Sequence, residues 1–280
     1  MIYIGLTGWG DHDSLYESKN MRNKLEAYSG HFPIVEVDAS FYAIQPEATV
    51  LKWIKETPEK FQFIVKAYQG MTGHQREPLP FPSKEAMFDT YIHSLEPYRS
   101  AGKLAMVLFQ FPPWFDCKRE HVQYLRWVRK KMKDIPCALE FRHQSWYWSE
   151  WKNKTLSFMR AEGWIHSICD EPQAGLESIP LIPEATDREK TLIRMHGRNV
   201  KGWNKGREEN WRVVRYLYDY SDEELSQWIP LLEHLQGQSK DLYMVFNNNS
   251  GGHAASNAKR MIHLLGIDYE GLAPRQLDLF

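Results

Sequence analysis

Cys137-Ala138-Leu139-Glu140-Phe141-Arg142 alternates two kinds of side chain along one short run. Cys137, Leu139 and Phe141 suit an apolar layer, while Ala138, Glu140 and Arg142 form the other face. Period-two alternation marks a β-strand, since successive side chains point to opposite sides. The flanking sequence repeats the pattern. Further strands are expected at Ile2–Leu6, Ile34–Asp38, Phe61–Ala67 and Leu104–Gln110 before it, and at Ile165–Asp170, Leu192–His196 and Leu242–Asn247 after it.

Amphipathic stretches separate most of these runs. Thr49–Lys55 carries Val50, Leu51 and Ile54; Glu120–Met132 carries Val122, Leu125, Trp127 and Val128; Thr155–Ala161 carries Leu156, Phe158 and Met159. Ser83 is an expected N-cap for a helix over Lys84–Leu95, and Ser221 with Glu224 spells a capping box. Strands that alternate with helices imply a parallel sheet, and eight is the number at which such a sheet closes into a (β/α)8 barrel of the TIM type. The 280 residues fit one domain of that kind, with 1–270 as the barrel and 271–280 as a tail. Two irregularities are expected. Pro172, Pro180 and Pro183 leave the sixth connection mostly loop, and Pro230 kinks or splits the helix begun at Ser221.

Composition narrows the setting. Net charge is −1, so any affinity for nucleic acid rests on a local patch. Met1-Ile2-Tyr3-Ile4-Gly5 reads as a first strand and not a signal peptide, and no apolar run reaches membrane-spanning length. Cys117, Cys137 and Cys169 are far apart with no CxxC pair, which suits a reducing cytoplasm and argues against a disulfide framework or a zinc knuckle.

In a barrel one parity of each strand faces the interior. Extending the alternation puts Glu36, Asp38, Lys66, Gln110, Glu140, Arg142, Asp170, Arg194, His196 and Asn247 inside, nearly all at strand carboxyl ends, where active sites of this architecture form. Buried charges need partners. Glu36 with Lys66, and Glu140 with Arg142 or Arg194, are the expected pairs. Pairs that merely fill the barrel would account for any one residue; clustering of the whole set at one end points to a site. Glu36, Lys66, Glu140 and His196 are the catalytic candidates.

After the eighth strand, Asn247-Asn248-Asn249-Ser250-Gly251-Gly252 precedes a helix, so backbone N–H groups and a positive dipole end suit an oxyanion held with Arg142 and Arg194. Asn247, Asn248, Gly252, Gln110 and Tyr42 complete the expected binding set. The loop after strand seven interleaves Arg198, Lys201, Lys205, Arg207, Arg212 and Arg215 with Trp203, Trp211, Tyr216 and Tyr218, a composition that suits nucleic acid but is diluted by Glu208, Glu209 and Asp219. Metal-ligand spacing, a P-loop, GxSxG and a dinucleotide fingerprint are all missing, so no metal is expected and cofactors are undetermined.

Ile4-Gly5-Leu6-Thr7-Gly8-Trp9, Val35–Tyr42, Trp53–Pro58 with Phe61–Lys66, Phe109-Gln110-Phe111-Pro112-Pro113, Leu139–His143 with Trp146, Arg194-Met195-His196-Gly197 and Phe246-Asn247-Asn248 occur in the order in which the DUF72 family carries similar blocks. The chain resembles that family along nearly its whole length. The resemblance implies a TIM-type barrel and no established reaction.

Three functions follow. The first is an enzyme or sensor for a phosphate-bearing ligand, possible nucleic acid included. The second is a non-catalytic DNA-associated module, and the third an enzyme of sugars or small metabolites. Gln276-Leu277-Asp278-Leu279-Phe280 resembles the pentapeptide with which bacterial repair and replication proteins bind the sliding clamp; packing of the same apolar residues on the barrel is the alternative.

Overall fold

The computed structural model describes residues 1–175, 178–203 and 214–275. Eight parallel strands close in sequence order into one barrel. They are β1 Ile2–Thr7, β2 Ile34–Val37, β3 Gln62–Lys66, β4 Leu104–Gln110, β5 Cys137–Glu140, β6 Trp164–Asp170, β7 Lys190–Met195 and β8 Asp241–Phe246. Every expected strand is present, with ends differing by one or two residues. Ring closure pairs Ile2 with Leu242 and Leu6 with Phe246.

The helices obey their local signals. Ser83 accepts from Ala86 N at 3.0 Å and starts Lys84–Ser94. Ser221 and Glu224 exchange both bonds of the capping box. Pro230 sits in the first turn of Trp228–Gln236, where its missing N–H costs nothing, so the pattern splits after Ser226 instead of kinking. Between β6 and β7 the described residues form no α-helix.

Two apolar layers follow from strand parity. Inside lie Ile34, Ile64, Met106, Leu108, Ala138, Ile165, Leu192 and Val245. Outside, Val35, Val37, Phe63, Val65, Phe109, Leu139 and Phe246 pack against the helices. At the amino-terminal end Tyr3 stacks on Tyr243 with ring centroids 5.1 Å apart. The Tyr243 hydroxyl donates to Gln62, and Lys190 Nζ reaches across to Ala105 O at 2.7 Å. That end is stoppered by side chains, so the carboxyl end is left for a ligand.

Ala273 N donates to Ser29 O at 3.1 Å, which brings the last described residues to the amino-terminal face, away from the strand ends. The clamp-like peptide Gln276–Phe280 lies outside the described residues, as do Lys205, Arg207, Trp211 and Arg212 of the basic loop.

Gly5 shows how closely β1 and β2 approach. A Cβ built there would stand 2.2 Å from Ile34 O and 2.6 Å from Ile34 Cγ1, which leaves no room for alanine. Gly5→Ala is expected to destabilise the chain by about 1–3 kcal/mol or more, as overpacking does. A chemical-denaturation midpoint unchanged from the parent would contradict this.

Candidate active site at the barrel mouth

Arg194, on β7, organises the interior. Its Nε and Nη2 fork onto Glu36 of β2 at 2.9 and 2.6 Å, and its Nη1 donates to Glu140 of β5 at 2.8 Å. All three side chains are sealed from solvent. The other oxygen of Glu140 takes Arg142 Nη2 at 2.8 Å and Gln110 Nε2 at 2.7 Å, and Ser167 Oγ donates to Oε2 at 3.2 Å. Four donors match the roughly four lone-pair sites of a carboxylate, so Glu140 is saturated. Arg142 extends the chain of charges to Glu171 at 2.5 Å, whose second oxygen accepts from Ile179 N at 2.7 Å. Paired and hydrogen-bonded in this way, buried ions escape most of the cost of isolation.

The charges set one another's ionisation. Against burial, Arg142 and Arg194 hold the Glu140 carboxyl well below its usual range. Burial raises Glu36 in spite of Arg194 and pushes Glu171 up to about 7 in spite of Arg142. Burial, then Arg142 and Arg194, drive His196 well below the usual imidazole value, so its ring is neutral. Arg142 Nη2 stands 3.1 Å from His196 Nε2, and a guanidinium only donates, so Nε2 accepts and the proton sits on Nδ1. Asn247 Nδ2 lies 2.8 Å from Nδ1, so this tautomer calls for the flipped orientation of the amide, with its oxygen toward the ring.

Above this floor lies an ion pair open to solvent. Lys66 Nζ is 3.0 Å from Asp38 Oδ1, with the side chains 13% and 37% exposed. Beyond this ammonium, Asp38 Oδ1 has no partner among the described residues. Burial pulls Lys66 down, but Asp38 outweighs it and the ammonium is raised, so the side chain stays charged. An aromatic wall rises beside the pair. Lys66 Nζ lies 5.1 Å from the Phe41 ring centroid, Phe41 meets His74 edge-on at 5.1 Å, and His74 meets Trp114 at 5.9 Å.

Glu36, Lys66, Gln110, Glu140, Arg142, Arg194, His196 and Asn247 thus meet at the strand carboxyl ends. The pairing differs from expectation. Glu36 binds Arg194 and Lys66 binds Asp38, because Glu36 registers with Ile64 and Lys66 stands one step higher. The glycine corner also differs. Arg194 spends its fork on carboxylates, Asn248 donates to Tyr218 O and to Asn257, and Gly252 sits at the start of His253–Leu264 with φ 78°. Tyr42 is 60% exposed on the outer rim, edge-on to Phe41.

Asp170 faces outward. Arg198 forks onto it at 2.8–3.1 Å and Trp228 Nε1 donates to it at 3.1 Å. All of β6 is buried on both faces, which removes the polarity signal that parity reading needs. The true inward set is Ile165, Ser167 and Cys169, and the same parity leads on to Glu171. Sequence reasoning therefore missed Ser167, Cys169 and Glu171, and it missed the aromatic wall, whose members come from three different loops. Atoms of Glu140, Cys169 and His196 approach within 4.8 Å of one another. Two guanidiniums beside them disfavour a cation, and burial holds the Cys169 thiol protonated.

A closed parallel barrel with a charged, aromatic-walled mouth defines the class of the molecule. The chain matches the family described as "Protein of unknown function DUF72" over residues 3–278, and it belongs to that family. It is 65% identical over 282 residues to the UPF0759 protein YunF of Bacillus subtilis (strain 168), covering all of both chains. It is 35% identical to the UPF0759 protein YecE of Escherichia coli (strain K12) over 78 residues, 27% of this chain and 26% of that one. A DUF72 family crystal structure from Enterococcus faecalis V583 superposes with a TM-score of 0.93 at 36% identity, over 99% of this chain and all of that one. Another, from Thermotoga maritima MSB8, gives 0.80 at 28% identity, over 95% and 100%.

Arg194→Met leaves Glu36 without its fork and Glu140 short of a donor. Breaking a buried pair costs about 3–5 kcal/mol, and urea unfolding should show it. A loss no larger than that of a surface pair, about 1 kcal/mol, would mean the carboxylates re-pair.

Burial holds His166 at about 4, and burial, Lys66 and Arg142 hold His74 at about 4. An unfolded histidine takes its proton near 6.5, so the unfolded chain binds more protons below that pH. Stability from these rings is full above pH 6.5 and is lost as pH falls toward 4. Ring resonances of both should titrate near 4 by NMR; ordinary titration near 6.5 would refute the assignment.

Proposed function

We propose that this chain is an enzyme that performs acid–base chemistry on a small, polar, uncharged metabolite at the barrel mouth. Asp38 transfers the proton, and Lys66 holds the oxygen on which negative charge develops. One observation carries the reading: above a floor of sealed ion pairs, the Asp38 and Lys66 side chains remain solvent-accessible, at 37% and 13%, while Glu36, Glu140 and Arg194 do not. A base needs a free lone pair at hydrogen-bonding reach of its substrate. Glu140 has none to spare. Glu36 is committed to Arg194, and neutral His196 is held between two guanidiniums.

Charge favours a neutral substrate. Among the described residues, Lys66, Arg142 and Arg194 face Asp38, Glu36, Glu140 and Glu171, so these ion pairs leave no surplus of positive charge for a phosphate. The phosphate-bearing and nucleic-acid readings are weaker on this ground. Lys66 is held protonated by Asp38, which suits an electrostatic role better than a Schiff base.

The test is incubation in D2O with a panel of aldoses, ketoses and polyols, followed by NMR for carbon-bound deuterium or new products. The parent should convert at least one. Asp38→Asn should lower the rate roughly 10²–10⁴-fold, the usual contribution of a general acid or base. Conversion of no compound would leave a binding module, and an undiminished Asp38→Asn rate would remove Asp38 from the chemistry.

A further inference from the structure

The aromatic wall of the mouth has no part in the proton transfer just described. Trp114, which follows Pro112-Pro113 after β4, is 58% exposed. His74 comes from the loop after β3 and is fixed by a 2.8 Å contact between its Nδ1 and Thr72 Oγ1. Phe41 lies on the short helix Ala39–Tyr42 that starts beside Asp38. Three connections thus bring three rings into edge-on contact. A tryptophan so exposed adds little to the core, and ring contacts link it through His74 and Phe41 to Lys66. Phe41 ties the wall to the charged floor, with Lys66 Nζ 5.1 Å from its ring on one side and His74 on the other.

Polar atoms without partners bear on what would fill the space. Asp38 Oδ1, Thr7 Oγ1, Arg142 Nε and Asn249 Oδ1 are all buried and have no hydrogen-bond partner among the described residues. Thr7 is 4% and Arg142 5% exposed. Thr7 ends β1 on the inward parity, and Asn249 Nδ2 donates to Thr7 O at 3.0 Å, so these two adjoin. The set mixes kinds: Asp38 and Asn249 oxygens need a donor, Arg142 Nε needs an acceptor, and Thr7 takes either. The accessible pair asks for the same mixture, since the Lys66 ammonium donates and the Asp38 carboxylate accepts, and a hydroxyl group answers both.

We propose that Phe41, His74 and Trp114 form a stacking platform for a polyhydroxylated ring, a neutral sugar, whose hydroxyls meet the accessible Asp38 and Lys66. The apolar C–H face of such a ring lies on Trp114 and its polar edge turns to the floor. Exposed aromatics serve this purpose because they offer a large rigid surface at little entropic cost. The inference rests on the proposed small-metabolite function and names its substrate class.

Saturation-transfer NMR on the full chain tests it, with free aldopentoses and aldohexoses at millimolar concentration and with nucleosides and inorganic phosphate alongside. Ring C–H protons of at least one sugar should receive saturation. Trp114→Ala should weaken that sugar about three- to tenfold, as loss of one aromatic contact does, and Trp114→Phe should recover part of it. Trp114 is outside the core, so the Ala variant should fold as the parent does, which its denaturation midpoint checks. Saturation of no sugar, or equal affinity in Trp114→Ala, overturns the platform, as does preference for a nucleoside or phosphate. A sugar bound equally by Trp114→Ala but converted through Asp38 sinks the platform and spares the proposed chemistry. A sugar held through Trp114 and never converted does the reverse.

Discussion

The fork from Arg194 onto Glu36 and Glu140 is the contact on which the interior depends. It ties β7 to β2 and β5 across the barrel, where ladder hydrogen bonds join only neighbours. A guanidinium placed there obliges carboxylates to face it, and Glu140 then calls for Arg142, which calls for Glu171. Each charge is tolerable only because the next is present. Burial, and then the same guanidiniums, explain why His196 is neutral: in a sealed site between Arg142 and Arg194 a third positive charge has no place.

Such a network separates two tasks that a sequence presents as one. Residues that look catalytic by type, Glu36 and Glu140 above all, spend their lone pairs on positioning. Reactivity passes to the layer above, where Asp38 and Lys66 are held by the strand ends but open to solvent. A floor of paired charges is a good foundation for a site, because its ions need no rearrangement when a ligand arrives.

Most of the barrel was legible in the sequence, and the reason is period two. In β2, β3, β5 and β7 one face is apolar and the other carries Glu36, Lys66, Glu140 or Arg194, so strand, direction and position could be read together. In β6 the signal failed, because Trp164–Asp170 is buried on both faces and Asp170 is drawn outward by Arg198 and Trp228. Partners were harder to read than places. Lys66 and Glu36 share a parity and adjacent strands, yet stagger between strands puts Lys66 against Asp38. The aromatic wall was illegible for another reason: Phe41, His74 and Trp114 are far apart in the chain and come together only through loop paths that no local pattern encodes.

The stopper formed by Tyr3, Tyr243, Gln62 and Lys190 leaves the carboxyl end as the open end of the barrel among the described residues. Traffic in and out must share that doorway, so arrival and departure are mutually exclusive events. A flat guest seated across the mouth would also act as a lid, cutting the charges beneath it off from bulk solvent. Protons gathered by the floor would then remain until the guest left, and the molecule would couple exchange with its surroundings to the residence time of whatever it holds.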